Sequence, residues 1–476
     1  MCEIVGIDAM ELLPRTNTAQ ADALLQSALS RQNHKIVVLD DDPTGVQTVH
    51  GVNVYTDWTH HSIEEGFAEE STLFFILTNT RSMGREEARE VNQEIALRIL
   101  DASIKYHKPF VLVSRSDSTL RGHYPLETET LRDTIEHNSE IRYDGEIICP
   151  FFREGGRLTL KNVHYVREGK MLVPAAMTEF AKDKTFGYHH SHLGKWCEEK
   201  TASAYQAKDM AYVSLECLRS GDSKAVTELL MGVHGFQKVI VNAAEYADVQ
   251  VFLAGYLGAL DKGKQFIFRS AAAIPKLLGG ISDRPLLRRA DIVQPDLKSG
   301  GIILVGSHVQ KTTLQLKLLQ QAMPELIGLE FDVCQALVPG GLLAQAQRVA
   351  HLAEDAVAMG KTARVYTSRK RLDLAGADEE EQLRVSVRIS DAVTSVIAKL
   401  KTQPAFIIAK GGITSSDVGT KALRVRRALV MGQVAPGVPV WKTDEQSKFA
   451  GMPYVIFPGN VGETRTLLDV VKELCG

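Results

Sequence analysis

The sequence predicts an α/β protein of two domains, each a mostly parallel sheet flanked by helices. Three observations predict it. Short apolar runs that read as strands alternate with helical patterns through both halves, which calls for right-handed crossovers and parallel pairing. These runs end in polar loops, the place where open α/β sheets bind ligands. The alternation is broken once, at 279–301, a stretch rich in Gly, Pro and charge. That stretch splits the 476 residues into expected domains 1–280 and 281–476.

In the first half, residues 18–31 carry Ala and Leu at helical spacing. The run Ile36-Val37-Val38-Leu39 follows as a strand and leads into Asp40, Asp41 and Asp42, then a Pro43-Thr44-Gly45 turn. Three adjacent acids beside a buried strand end are costly without a cation or a hydrogen-bonding ligand. They are candidates for gripping hydroxyls, holding a metal or taking up a proton. Further strands are expected at 52–56, 72–77, 110–113 and 146–149, with a helix at 86–106. Three of these end in polar runs: Thr78-Asn79-Thr80-Arg81, Ser114 to His123, and Pro150 to Arg157. Residues 158–174 alternate like a hairpin excursion, and strands at 211–215, 238–242 and 266–269 complete the half.

The second half repeats the pattern. Strands are expected at 302–305, 329–333, 363–367, 406–409 and 454–457, with helices at 313–322, 345–358 and 380–400 and a last helix running to Leu474. Residues 434–440 hold the Pro436-Gly437-Val438-Pro439 run. Three strand ends carry glycine: Gly306-Ser307, Gly411-Gly412-Ile413-Thr414 and Gly459-Asn460-Val461-Gly462. Glycine lets backbone N–H groups approach an anion closely. One such loop usually serves only the turn, but three in one α/β unit point to a phosphate or nucleotide site. Met359-Gly360-Lys361-Thr362 imitates the end of a P-loop. It follows a helix, and Asp355 stands where that motif's first glycine belongs, so Gly360 reads as a helix C-cap. No G-x-G-x-x-G supports a nicotinamide site.

Composition excludes several classes. Hydrophobic residues make up 44%, enough for sizeable cores. A net charge of −3 gives no nucleic-acid surface. The six cysteines form no C-x-x-C pair, which argues against a zinc ribbon or disulfide scaffold and fits a reducing cytoplasm. No leader is expected in residues 1–30, and no apolar run reaches the roughly 18 residues of a membrane span. His189, His190 and His192 match no usual metal-ligand spacing.

Taken in order, DDDPTG at 40–45, SDSTLRG at 116–122, PFFREGGR at 150–157, GS at 306–307, GGIT at 411–414, PGVP at 436–439 and GNVG at 459–462 resemble the four-carbon acid sugar kinase family, long known as a domain of unknown function. The resemblance spans nearly the whole chain. It implies ATP-dependent phosphorylation of a sugar acid such as threonate, erythronate or a 3-oxo-tetronate. It also implies an N-terminal acid-binding domain, a C-terminal ATP-binding domain and an active site in the inter-domain cleft. By position, Asp41, Asp42, Asp117, Ser118, Thr119 and Arg121 fall in the substrate half. Ser307, Gly411, Gly412, Thr414, Gly459 and Asn460 fall in the nucleotide half. Arg121 or Arg157 could hold the acid's carboxylate. Asp42 or Asp41, then Asp117, would take the hydroxyl proton. Lys410 could add charge at the phosphates, and Mg²⁺ is expected with ATP.

The chain departs from the family in three places. Arg115 stands where Lys is common, Phe457-Pro458 where a Lys often precedes the last glycine motif, and Pro43 where Leu is common. The expected partners are a small sugar acid and ATP, with no nucleic acid and no membrane; a homo-oligomer is compatible with the sequence. A competing reading is a catalytically silent, nucleotide-gated sugar-acid sensor, which would be free to lose one of the motifs. A metal-dependent aldolase or a dehydrogenase ranks last.

Overall fold

The computed structural model describes residues 3–369, 372, 379–459 and 461–476. The chain forms two compact units. Unit 1 comprises Met1–Gly45 and Asp57–Asp283, and unit 2 comprises Val46–Thr56 and Arg284–Gly476. A single cut at residue 280 does not express this division, because the eleven residues after the acid turn belong with the C-terminal half.

The strands of unit 1 are β1 (Val5–Gly6), β2 (Lys35–Asp40), β4 (Leu73–Leu77), β5 (Phe110–Arg115), β6 (Gly145–Cys149), β7 (Arg157–Leu160), β8 (Val163–Glu168), β9 (Met171–Pro174), β10 (Ala211–Val213), β11 (Gln237–Val241) and β12 (Phe266–Ser270); β3 (Val52–Tyr55) goes to unit 2. The main sheet of unit 1 runs β10-β11-β6-β12-β5-β2-β4 and is parallel throughout. All six residues of β2 are buried, as an apolar strand covered on both faces must be. The helix Arg85–Tyr106 turns Ala88, Val91, Ile95 and Ile99 inward at helical spacing. The expected excursion is a separate antiparallel sheet, β1-β9-β8-β7.

Unit 2 adds β13 (Ile302–Val305), β14 (Ile327–Phe331), β15 (Ala363–Thr367), β16 (Ile407–Lys410), β17 (Arg427–Ala435), β18 (Val438–Thr443) and β19 (Pro453–Phe457). Its order is β3-β17-β18-β19-β16-β13-β15-β14. The β19-β16-β13-β15-β14 part is parallel, and β3-β17-β18-β19 is antiparallel. The Pro436-Gly437 run makes the β17–β18 hairpin turn, with Gly437 at φ 74°. Gly360 follows the helix Gly341–Ala358 at φ 75°, the conformation a C-cap glycine adopts.

The 279–301 stretch is more than a connection. Leu287, Ile292 and Val293 are buried in the core of unit 2 with Ile303, Leu316, Ile408 and Val471. Its one helix, Arg289–Ile292, has four residues, too few to show an apolar period in the sequence. Among the described residues no helix is long and apolar enough to cross a membrane.

Candidate functional site

In unit 1 the site starts where β2 ends. Register sets Asp40 between Leu77 of β4 and Arg115 of β5. Arg115 Nη1 donates to Asp40 Oδ1 at 3.0 Å, inside the sheet. Burial pushes the Asp40 carboxyl up to about 7, against the opposing pull of Arg115. Gly45 closes the turn over it, and a Cβ on Gly45 would lie 2.0 Å from Asp40 Oδ2. Asp40 is therefore the buried anchor of the loop.

Asp41 and Asp42 share a cation. Arg81, four residues beyond β4, donates through Nε to Asp41 Oδ2 at 3.1 Å and through Nη1 to Asp42 Oδ2 at 3.2 Å. Asp41 Oδ2 also accepts from Ser116 Oγ at 2.5 Å and its Oδ1 accepts from Arg81 Nη2, so both oxygens are taken, and its side chain is 3% exposed. Asp42 keeps 17% exposure and accepts from the Thr44 amide at 2.7 Å and the Thr44 hydroxyl. Burial alone would raise the Asp42 carboxyl; the charges of Arg81 and Arg115 and the Thr44 bonds outweigh it, and Asp42 sits below the usual carboxylate range.

The 116–123 loop follows β5. Arg121 Nε binds Asp117 Oδ2 at 2.6 Å, and Thr119 Oγ1 donates to the same oxygen. Burial would raise Asp117, but Arg121, Arg81 and Thr119 hold it far below its ordinary value. Leu120 has φ 68°, a left-handed conformation that is costly for a branched side chain. Two side chains from outside the loop hold it there. His164 Nε2–H donates to the Ser118 carbonyl at 2.7 Å, and Tyr188 OH donates to the Thr119 carbonyl at 2.8 Å. A Cβ on Gly122 would lie 2.6 Å from Ser116 Oγ and 2.8 Å from Arg269 Nη2, so only glycine fits. Arg269 in turn binds Glu127 at 2.5 Å and Ser114 Oγ at 3.0 Å.

Arg157, at the start of β7, differs from the other arginines here. Its guanidinium lies 5.7 Å from the Phe180 ring, and Arg121 lies 5.1 Å from the same ring. Arg157 donates to the Gly155 carbonyl, but among the described residues no carboxylate pairs with it, and its buried Nε has no acceptor. Burial lowers it, while the charge of Asp117 acts the other way.

In unit 2 two strand-end loops meet over Ser307, at the end of β13. A Cβ on Gly411, whose φ is 130°, would stand 3.0 Å from Thr414 Oγ1 and 3.2 Å from Ser307 Cβ. One on Gly459 would stand 2.8 Å from Ser307 Oγ. Thr312 Oγ1 donates to the Gly459 carbonyl at 3.0 Å and lies 3.2 Å from Ser307 Oγ. These glycines let the loops pack closely around Ser307, a cradle that added side chains would disrupt. Gly412 starts the short helix Gly412–Asp417. Asn460 lies outside the described residues.

Lys410 takes a different place from the expected one. Its side chain is fully buried, donates to the Pro458 carbonyl at 2.9 Å and lies 3.9 Å from the centre of the Phe457 ring. It ties the end of β16 to the loop after β19. Burial, with the neighbouring Lys311 charge, pushes it down to about 7.

Several side chains in these clusters escape a reading by motif. Arg81 and Arg269 supply the cations, Glu127 the buried counter-acid, and His164 and Tyr188 the loop clamps. Only the position of Arg81 just past a strand end signalled it. His189 and His190 meet Glu199 at 3.0 and 2.7 Å. Among the described residues no three metal-ligating side chains stand together, and the acid-loop carboxylates are already matched by arginines, so the residues present do not form a dedicated Mg²⁺ cage.

Comparison with known proteins matches two domain families in order along the chain. Residues 36–278 match the sugar-binding N-terminal domain family, and residues 302–467 match the nucleotide-binding C-terminal domain family. The D-erythronate kinase of Heliobacterium modesticaldum is 24% identical over 306 residues, which is 60% of this chain and 60% of the relative's own length. Two solved structures share the fold at 17% identity. One is a Salmonella typhimurium LT2 protein with a provisional tRNA synthase label (TM-score 0.62, 91% of this chain and 98% of that one). The other is a Haemophilus influenzae protein of the DUF1537 family (TM-score 0.58, 92% of this chain and 100% of that one). With its two domain families matched in order and the sugar-binding match alone spanning half the chain, the protein belongs to the four-carbon acid sugar kinase family.

Proposed function

We propose that the protein is an ATP-dependent kinase that phosphorylates a hydroxyl of a four-carbon sugar acid of the threonate, erythronate or 3-oxo-tetronate type. The observation that carries this reading is Arg157. Among the described residues it is a guanidinium without a carboxylate partner, set beside acids that already have theirs. A sugar acid supplies the missing carboxylate, and its hydroxyls meet Asp42, Asp117 and the Ser118-Thr119 backbone. Arg121 is engaged by Asp117, so its part is to hold that acid in place.

Phosphoryl transfer needs an oriented hydroxyl and a group to take its proton. Asp42 suits the second task best among the three acids, because its side chain is the most exposed of the three and is held ionised. ATP is assigned to the loops at Ser307, Gly411, Thr414 and Gly459, where glycine backbone and the Ser307 and Thr414 hydroxyls stand close together at strand ends. The D-erythronate kinase relative supports this class of substrate.

The test is ADP release from ATP with a panel of tetronic acids, followed by NMR of the product. Turnover with one acid and a phosphorylated product is the expected result. Binding of both ligands with no ADP formed would leave the silent sensor in its place.

A further inference from the structure

Arg369 stands two residues beyond the end of β15, next to the end of β13, since Tyr366 and Val305 are paired in register. Its Nη2 donates to the Ser307 carbonyl at 2.6 Å and to Thr313 Oγ1 at 2.9 Å. Nη1 reaches Thr367 Oγ1 at 3.5 Å. An arginine has five N–H donors, so two remain. One of them, the buried Nε–H, has no acceptor. Among the described residues no carboxylate pairs with this guanidinium, and burial pushes it below its ordinary value. Arg115, Arg121, Arg219 and Arg269 each stand beside an acid. Arg369 is instead fixed to Ser307, the residue over which the glycine loops meet.

We propose that Arg369 binds a phosphate group of the nucleotide held by unit 2. This rests on the nucleotide reading of that unit. The bonds to Ser307 and Thr313 hold the guanidinium in place, and its free Nε–H and remaining Nη1–H are donors for the anion.

The experiment measures binding of ATP, ADP and adenosine to the full chain by calorimetry, with melting temperatures recorded without ligand. Wild type and the variants R369M and R369K are compared. R369M is expected to weaken ATP and ADP about ten- to a hundredfold, the scale of a lost charge-assisted hydrogen bond, and to leave adenosine unchanged. R369K keeps the charge but not the fork and should fall between. Unchanged ATP affinity in R369M, or an equal loss for ATP and adenosine, overturns the proposal, because a loop staple does not distinguish the two. If R369M does not fold, R369K decides: ATP weakened with adenosine unchanged supports the phosphate contact, and anything else overturns it. A wild type that binds none of the three removes the nucleotide reading together with this one.

Discussion

Asp42 and His164 show how neighbours set the state of a side chain. Asp42→Asn keeps the size and the Thr44 contact but cannot take a proton. We expect kcat to fall on the order of 10²- to 10⁴-fold with the melting temperature little changed. Steady-state ADP release checks it, and an unchanged kcat removes Asp42 from the chemistry. His164 is buried, and burial pushes it down to about 4. Its folded value lies below the ordinary 6.5, so the unfolded chain binds the extra proton first. Stability from this group is complete above about pH 6.5 and is lost as pH falls toward 4, by about 3 kcal/mol in total. Urea unfolding of wild type and His164→Asn at pH 7.5 and 5 tests the sign. The variant's loss between those values should be the smaller, and an equal loss would acquit His164. The acid loop was visible as three consecutive aspartates, but its cation was not. Arg81 lies 39 residues beyond Asp42, one of 55 basic residues, and only strand pairing brings them together.

At the scale of elements, the glycine loops matter through what they exclude. Gly411 combines a φ of 130° with Ser307 atoms 3.2–3.3 Å from where a Cβ would sit. Gly411→Ala brings strain of about 1–3 kcal/mol into the cradle. We expect it to raise the KM for ATP severalfold while the KM for the acid stays. Paired titrations decide it, and an equal rise in both would detach the glycine loops from nucleotide. The helix and strand runs were readable because their periods are long. The strands 36–39 and 302–305 lie inside the observed β2 and β13, and the expected helix 86–106 is observed as Arg85–Tyr106. The helix His60–Ala68 and the buried part of 284–293 were not readable, since nine and four helical residues carry too little pattern.

For the whole molecule, the unexpected feature is Val46–Thr56. Its strand β3 pairs antiparallel with β17, from Val52↔Val430 to Tyr55↔Arg427, and buries Val52, Val54 and Tyr55. Removing it exposes an edge strand and three apolar side chains, a loss on the order of 5 kcal/mol. A 284–476 fragment should therefore melt lower and aggregate more than one with 46–56 joined to it, as read by circular dichroism and light scattering. Equal melting would show that β3 adds nothing to unit 2. By itself the sequence determined the α/β class, the two-part division, the acid loop and the glycine loops, because each is written in contiguous residues whose period or chemistry is local. The tertiary structure alone decided which arginine answers which acid, that Lys410 is buried, that Arg157 and Arg369 lack acid partners among the described residues, and that 46–56 belongs to the second unit. Those facts depend on contacts between residues tens to hundreds of positions apart, and side-chain charge is matched in space rather than along the chain.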